Sequence, residues 1–326
     1  MPYFAVEPAL VTITTKNTWI DIDLNDYATL PPAGVSGVSL RIYAPADVNV
    51  GTRKKGCTEN LYGVCGYGEQ GSAWVGVNAS QIFQVYAGST STVLIYIVGY
   101  MTGGFVFFDA TTDKHSGETF AWADIDCSAE VPDTATALIF YMTGGATATT
   151  IYKLGLRCDG STDDLKGSGV GTRYITAVMK CASRIVEHYA TTEIYHKVRL
   201  AGYITAASLG TFYSDKAGND RSLASTGSYT DLTALSAGMS LGLYEMLDNT
   251  SSSSTLYSHD IRPKGSTFEF YYDAAHMWHV VPGDSNRLVE GKIENVLTDF
   301  YLIGYFAAPS TNVGRGGVGM GDCMII

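Results

Sequence analysis

The chain has 326 residues, more than one hydrophobic core ordinarily supports, so two or three domains of about 100 residues each are expected. Its 21 Lys and Arg against 32 Asp and Glu leave a net charge of −11 with no dense basic run, which argues against nucleic acid and anionic membrane surfaces as partners. Charged residues are only 16% of the chain, below the roughly 25% of ordinary soluble domains, while Tyr numbers 22 and Gly 36. That composition suits secreted β-proteins or subunits that cover their exterior with copies of themselves.

Residues 1–16, MPYFAVEPALVTITTK, lack the basic start, long apolar core and cleavage site of a secretory signal, so the chain is expected to be used as translated. They read as an N-terminal arm, and FAVEPALVTITT alternates well enough to add an edge strand to a neighbour's sheet. Three units then follow, over residues 17–110, 111–214 and 215–306, with a C-terminal tail over 307–326. Each unit opens with an aromatic, Asp-bearing strand: WIDIDL at 19–24, WADIDC at 122–127 and, more loosely, YTDLTA at 229–234. An apolar strand comes next, VSLRIYA, ATALIFYM or MSLGLYEM. The third segment is RKKGCT at 53–58, RCDGST at 157–162 and RPKGST at 262–267, spaced by 104 and 105 residues. The units close on Gly99-Tyr100, Gly202-Tyr203 and Gly304-Tyr305, spaced by 103 and 102 residues. Three anchors in one order at nearly constant spacing define an internal repeat.

Short runs rich in Val, Ile, Tyr and Thr, separated by Gly, Ser, Asn and Asp, predict an all-β protein of three tandem antiparallel β-sandwiches, jelly-roll-like. DLTALSAGMSLGLYEMLD taken alone suits a helix, but its alignment with the other units makes it strand. On the closing strand, Ile95, Ile97, Gly99 and Met101 alternate with Tyr96, Val98 and Tyr100, so one face is core. The other face is too apolar for water alone. Tyr100, Tyr203 and Tyr305 are therefore read as contacts to an adjacent domain or subunit.

Arg53, Arg157 and Arg262 suit a carboxylate or phosphate site. Their triplication beside Gly56, Gly160 and Gly265 reads instead as a structural tie to loop carbonyls or to the opening-strand acids Asp21, Asp124 and Asp231. DGSTDD at 159–164 is oxygen-rich like a calcium loop but lacks EF-hand spacing, so it reads as a polar turn. HMWH at 276–279 sets His276 and Trp278 on one strand face and His279 on the other. Trp278, aligned with Trp74 and Ile175, reads as core. Cys57 and Cys65 flank a Gly-rich loop and could close it as a disulfide, with free thiols the equal alternative. No cysteine spacing suggests zinc, and no metal or cofactor is expected. Catalytic signatures are missing, so no catalytic residue is assigned. NAS at 78–80 and NTS at 249–251 match the glycosylation acceptor pattern. No apolar run approaches the roughly 20 residues that span a bilayer, so a soluble chain without membrane partners is expected.

Units running from W-x-D-I-D through R-x-x-G-S-T-D to L-x-G-Y-F resemble the tandem β-sandwich repeats of bacteriophage virion proteins: head-fibre, tail-fibre and decoration subunits. The resemblance covers residues 19 to about 306, and the third unit departs from it with Tyr229 in place of Trp. It implies a structural, non-enzymatic subunit of a virion or extracellular filament whose partners are copies of itself, other virion proteins or surface glycans. Lysis would release such a subunit without a signal peptide. A carbohydrate-binding adhesin or receptor-binding module is the alternative, and a polysaccharide depolymerase needing converging carboxylates is a third.

Overall fold

The computed structural model describes residues 3–27, 33–44, 48–60, 69–89, 93–116, 119–144, 151–170, 173–191, 197–206, 210–248, 257–267 and 276–307. The first sandwich comprises β1 (Tyr3–Val11), β2 (Trp19–Asp23), β3 (Gly37–Ala44), β4 (Val50–Lys54), β5 (Glu69–Gly76), β6 (Ile82–Ala87) and β7 (Leu94–Met101). Its sheets run β1-β7-β3-β5 and β2-β6-β4. The second comprises β8 (Phe105–Ser116), β9 (Ala123–Asp126), β10 (Ala135–Gly144), β11 (Ile151–Cys158), β12 (Gly167–Val170), β13 (Arg173–Lys180), β14 (Ile185–Ala190) and β15 (Lys197–Thr205). Its sheets run β8-β15-β10-β13 and β9-β14-β11-β12, two four-stranded antiparallel sheets with the crossed strand order of a jelly roll. The third comprises β16 (Gly210–Phe212), β17 (Thr230–Asp231), β18 (Met239–Asp248), β19 (His259–Pro263), β20 (His276–Pro282), β21 (Val289–Ile293) and β22 (Thr298–Ala307). Its sheets run β16-β22-β18-β20 and β17-β21-β19. The chain is all-β, three antiparallel sandwiches in tandem, and MSLGLYEMLD is strand β18.

Each sandwich begins one strand before the first repeated motif. The expected N-terminal arm is strand β1, paired in its own chain with β7 from Tyr3↔Met101 to Val11↔Ile95, so it is not a strand held out to a neighbour. In the same way β8 starts before residue 111 and pairs with β15, and β16 starts before residue 215 and pairs with β22. These first strands, YFAVEPALV, FVFFDATTDKHS and GTF, share no motif, because an edge strand's partner is backbone rather than side chain.

The closing Gly-Tyr is a β-bulge made three times. Gly99 pairs with Ser39 and the next partners are Ile97 and Leu40, which leaves Val98 as the extra residue. Gly202 pairs with Ile139 before Leu200 pairs with Phe140, and Gly304 with Leu243 before Leu302 with Tyr244, so Ala201 and Ile303 are the corresponding extras. The glycine is needed where the neighbouring first strand crosses. A Cβ on Gly202 would lie 2.1 Å from the Val106 carbonyl oxygen, and one on Gly304 would lie 2.8 Å from the Thr211 carbonyl oxygen. The tyrosines that follow are used inside the chain. Tyr100 is buried, Tyr203 packs on Phe108 with ring centres 5.9 Å apart, and Tyr305 packs on Tyr213 at 6.1 Å. Tyr203 thus packs on its own sandwich's first strand, and Tyr305 on the residue that follows one.

The inner edge strands β5, β13 and β20 of the three large sheets meet one another, so every sandwich touches both others around a common centre. Thr176 Oγ1 accepts the Trp74 N–H at 3.1 Å, and Ser72 Oγ donates to the Trp278 carbonyl at 2.8 Å. Trp74 and Trp278 are fully buried there. They are not equivalent positions, however. Ladder register matches Arg41 to Ser72, Tyr141 to Thr176 and Glu245 to Trp278, so Trp278 corresponds to Ser72 and Thr176 rather than to Trp74 and Ile175.

Candidate functional site

The repeated arginines sit in equivalent surroundings on the sheets that carry β4, β11 and β19. Each guanidinium carbon lies over the aromatic ring that opens its unit: Arg53 over Trp19 at 4.0 Å, Arg157 over Trp122 at 4.3 Å and Arg262 over Tyr229 at 3.3 Å. Each is also bonded to the residue directly across the ladder. Arg53 Nε donates to Gln84 at 2.8 Å, Arg157 grips both oxygens of Glu187 at 2.8 and 2.9 Å, and Arg262 Nε donates to Glu290 at 2.6 Å. Loop carbonyls complete the tie, with Arg53 Nη1 donating to Glu59 O at 2.9 Å and Arg157 Nη1 to Asp163 O at 2.8 Å.

The opening-strand acids are not the arginines' hydrogen-bond partners. Asp21 takes Lys55 at 2.7 Å and the Gln84 amide at 2.8 Å, and Asp231 takes Lys264. The Lys55 contact holds the Asp21 carboxyl below the usual range. In the second unit Asp159 occupies the place of Lys55 and Lys264, and Asp124 stands exposed on β9 opposite Glu187. Gly56, Gly160 and Gly265 have φ of +101°, +72° and +79°, the left-handed turn that the motif requires.

The same turns carry a second device, which joins consecutive sandwiches. Glu59 and Asp163 occupy equivalent places six residues after their arginines, and each reaches into the next domain. Glu59 Oε2 accepts the Thr111 N–H at 3.0 Å and the Thr111 hydroxyl at 2.7 Å, while Oε1 takes Arg199 at 2.8 Å. Asp163 Oδ2 accepts the Lys216 N–H at 2.6 Å, and Oδ1 the Ala217 N–H at 3.4 Å. Thr111 and Lys216 are themselves equivalent, four residues beyond Phe107 and Phe212, which pair with Gly202 and Gly304. Burial opposes ionisation of Glu59, but the Thr111 and Arg199 donors outweigh it and hold the carboxyl below its ordinary range. Lys54 adds a bond to the Phe107 carbonyl at 3.1 Å. A cavity of about 20 Å³ lies at this junction beside Cys57, Glu59, Phe107 and Tyr141, room for a water and little more.

At the second junction the Lys216 side chain is buried between two domains. Its Nζ donates to the Leu156 carbonyl at 2.7 Å and pairs with Glu245 Oε2 at 2.8 Å, and the other Glu245 oxygen meets His276 Nε2 at 2.7 Å. Desolvation works against the Glu245 anion, but Lys216 and His276 together outweigh it and hold the carboxyl below its ordinary range. The ring closes from the third sandwich back to the first through Arg41, the positional equivalent of Tyr141 and Glu245. Arg41 Nη2 donates to the Ile261 carbonyl at 3.1 Å and to His279 Nε2 at 2.8 Å, with Asp260 3.8 Å from Nη1. Ile261 and Leu156 immediately precede their repeat arginines, so equivalent carbonyls accept the cation at both junctions.

DGSTDD is accounted for by these contacts: Asp163 forms the interdomain tie, and Asp164 bonds the Trp122 indole at 2.9 Å and Lys166 at 2.6 Å. Cys57 is a buried free thiol next to Glu59 rather than half of the expected bridge, and Cys65 lies outside the described residues. Burial pushes the Cys127 thiol up to about 12 and Cys181 to about 11. The sequence reading missed the acids at 59 and 163 and the interior polar residues Arg41 and Glu245. A signal existed for both: T-E and T-D recur at one place in the repeat, and a charge interrupts VSLRIYA and MSLGLYEM.

No protein-family model matches the chain, and no curated protein matches it. Four chains of solved structures do match. Among the structural likenesses is the N-terminal CBM22-1-CBM22-2 tandem domain from Paenibacillus barcinonensis Xyn10C, 10% identical, aligned over 62% of this chain and 92% of that one with a TM-score of 0.18. A superposition that loose bears on neither ligand nor role.

Proposed function

We propose that the chain is a non-enzymatic structural protein, a self-assembling subunit of a phage particle appendage or fibre, or of an extracellular filament. The observation that carries this reading is the use made of the repeated residues. Arg53, Arg157, Arg262 and their aromatic and acidic partners stiffen each sandwich, and Glu59, Asp163, Lys216 and Arg41 lock the sandwiches to one another. Stiffness of this kind suits a part that bears load. The motif resemblance to virion sandwich repeats points the same way. Size-exclusion chromatography with light scattering, followed by electron microscopy, tests it. Discrete oligomers, particles or fibres are expected, and a monomer at micromolar concentration overturns it.

The second reading, a carbohydrate-binding module, has one observation in its favour. Phe120 is 60% exposed, two residues before Trp122, whose ring lies 5.7 Å from Tyr189. Aromatic edges of this kind stack on sugar rings. Against it, Arg157 already lies over Trp122 and Lys166 over Tyr189 at 4.0 Å, while Trp74 and Trp278 are buried. Glycan-array binding that is lost in Phe120→Ala would favour the module over the scaffold.

A further inference from the structure

We propose that the closure between the third and first sandwiches is an acid-sensitive latch, in which protonation of His279 expels Arg41 and opens the ring while the sandwiches stay folded. The inference is independent of what the assembled protein does.

The geometry of donors and acceptors carries it. A guanidinium has only donors, so the 2.8 Å contact between Arg41 Nη2 and His279 Nε2 requires that Nε2 be the acceptor and carry no proton. The latch is therefore made by the neutral imidazole alone. A second proton on the ring turns Nε2 into a donor facing another donor and puts two cations in contact in a buried place, since Arg41 is 5% exposed and His279 2%.

Few neighbouring groups can relieve that conflict. On β18 the residue paired with His279 is Tyr244, also buried. On β19, among the described residues, Asp260 lies 3.8 Å from Arg41 Nη1, and its oxygens receive the Ile261 N–H at 2.8 Å and the Tyr229 hydroxyl. Glu245, His276 and Lys216 belong to the opposite face of the β18–β20 ladder, as alternation along a strand dictates.

Burial first and the Arg41 charge second hold the His279 pKa well below its ordinary 6.5 in the closed ring. In an opened ring the imidazole regains water and titrates near that ordinary value. Closure is fully favoured above pH 6.5 and weakens as the pH falls below it, because only the open form binds the proton. The open fraction rises about tenfold for each pH unit in that window. The second and third sandwiches also hold His188 and His259, each with a pKa depressed to about 4 by burial, so their interiors supply an internal reference for acid unfolding.

Hydrogen exchange of the full chain, read by mass spectrometry from pH 7.5 to 5 and corrected for intrinsic rates, tests the latch. Amides of β3 and β19 are expected to lose protection about tenfold per pH unit below about 6.5, ahead of those in the β10–β15 ladder. In His279→Gln the side-chain oxygen still accepts from Arg41 but does not titrate, so the pH dependence should flatten by one proton. Equal acid slopes in the two proteins would overturn the proposal, as would β3 and β19 amides opening only together with β10–β15. Should His279→Gln not fold, the wild-type slope alone decides, and zero proton uptake on opening rules the latch out.

Discussion

The two junctions between consecutive sandwiches differ in kind from the junction that closes the ring. Between consecutive domains a carboxylate, Glu59 or Asp163, holds a backbone N–H at the same place in the next domain. A repeat can copy that device, because acid and N–H both travel with the duplicated unit. At the closure, position 268 holds Phe where 59 and 163 hold acids, and Arg41 and His279 make the contact instead. Duplication supplies ties from each copy to the next. It does not supply the one from last to first, which must be built from residues that differ among the copies.

The comparison can be broken most forcibly at the second junction. Lys216→Met leaves Glu245 buried with its ammonium partner gone, which should cost about 3–5 kcal/mol and appear as a large drop in melting temperature. Replacing both residues, Lys216→Met with Glu245→Leu, should recover much of that loss. At the closure, Arg41→Met removes the donors to Ile261 and His279 and should cost about 2–3 kcal/mol in denaturant unfolding. It should also lessen the ring's acid sensitivity by the part the Arg41 charge supplies, whereas Lys216→Met should not.

Glu59→Gln sharpens the contrast with a smaller effect. It keeps the shape but loses the charge held by Thr111 and Arg199, and at this partly exposed site the cost should be about 1 kcal/mol. Because the folded carboxyl titrates below its ordinary 4.5, its contribution is present above that pH and lost as the pH falls through the folded value. An acid titration of stability should show that loss in the wild type and not in the variant.

The smallest expected effect has the opposite sign. Asn17, Phe120 and Gly227 occupy equivalent left-handed positions, with φ of 56°, 47° and 87°, just before each opening aromatic residue. Asn and Gly tolerate that region and Phe does not, so Phe120→Gly should stabilise the second sandwich by up to about 1 kcal/mol in thermal unfolding.

Much of this was legible in the sequence, for a physical reason. The Arg-x-x-Gly turn and the opening aromatic are side chains that touch each other, so both had to persist in every copy, as Arg53 with Trp19 and Arg157 with Trp122 show. Glycine at 99, 202 and 304 marked the bulge because a crossing strand leaves no room for a Cβ at the second and third of these. The strand character of β1 was legible but its partner was not, and β8 and β16 were missed, because main chain pairs with main chain and leaves no side-chain motif. The acids at 59 and 163 were visible, but their partners, two backbone N–H groups, have no letter. The packing of Tyr203 on Phe108 and of Tyr305 on Tyr213 was not legible because an apolar outer face looks alike whether its own chain or a neighbour covers it.

The central claim is a closed ring of three equivalent sandwiches, and pairwise distances test it directly. Spin labels introduced through non-natural residues at Lys55, Asp159 and Lys264, equivalent points of the three turns, give three distances by pulsed electron resonance. The ring predicts three nearly equal values. A first-to-third distance about twice the other two would mean domains strung in a line, and would contradict it.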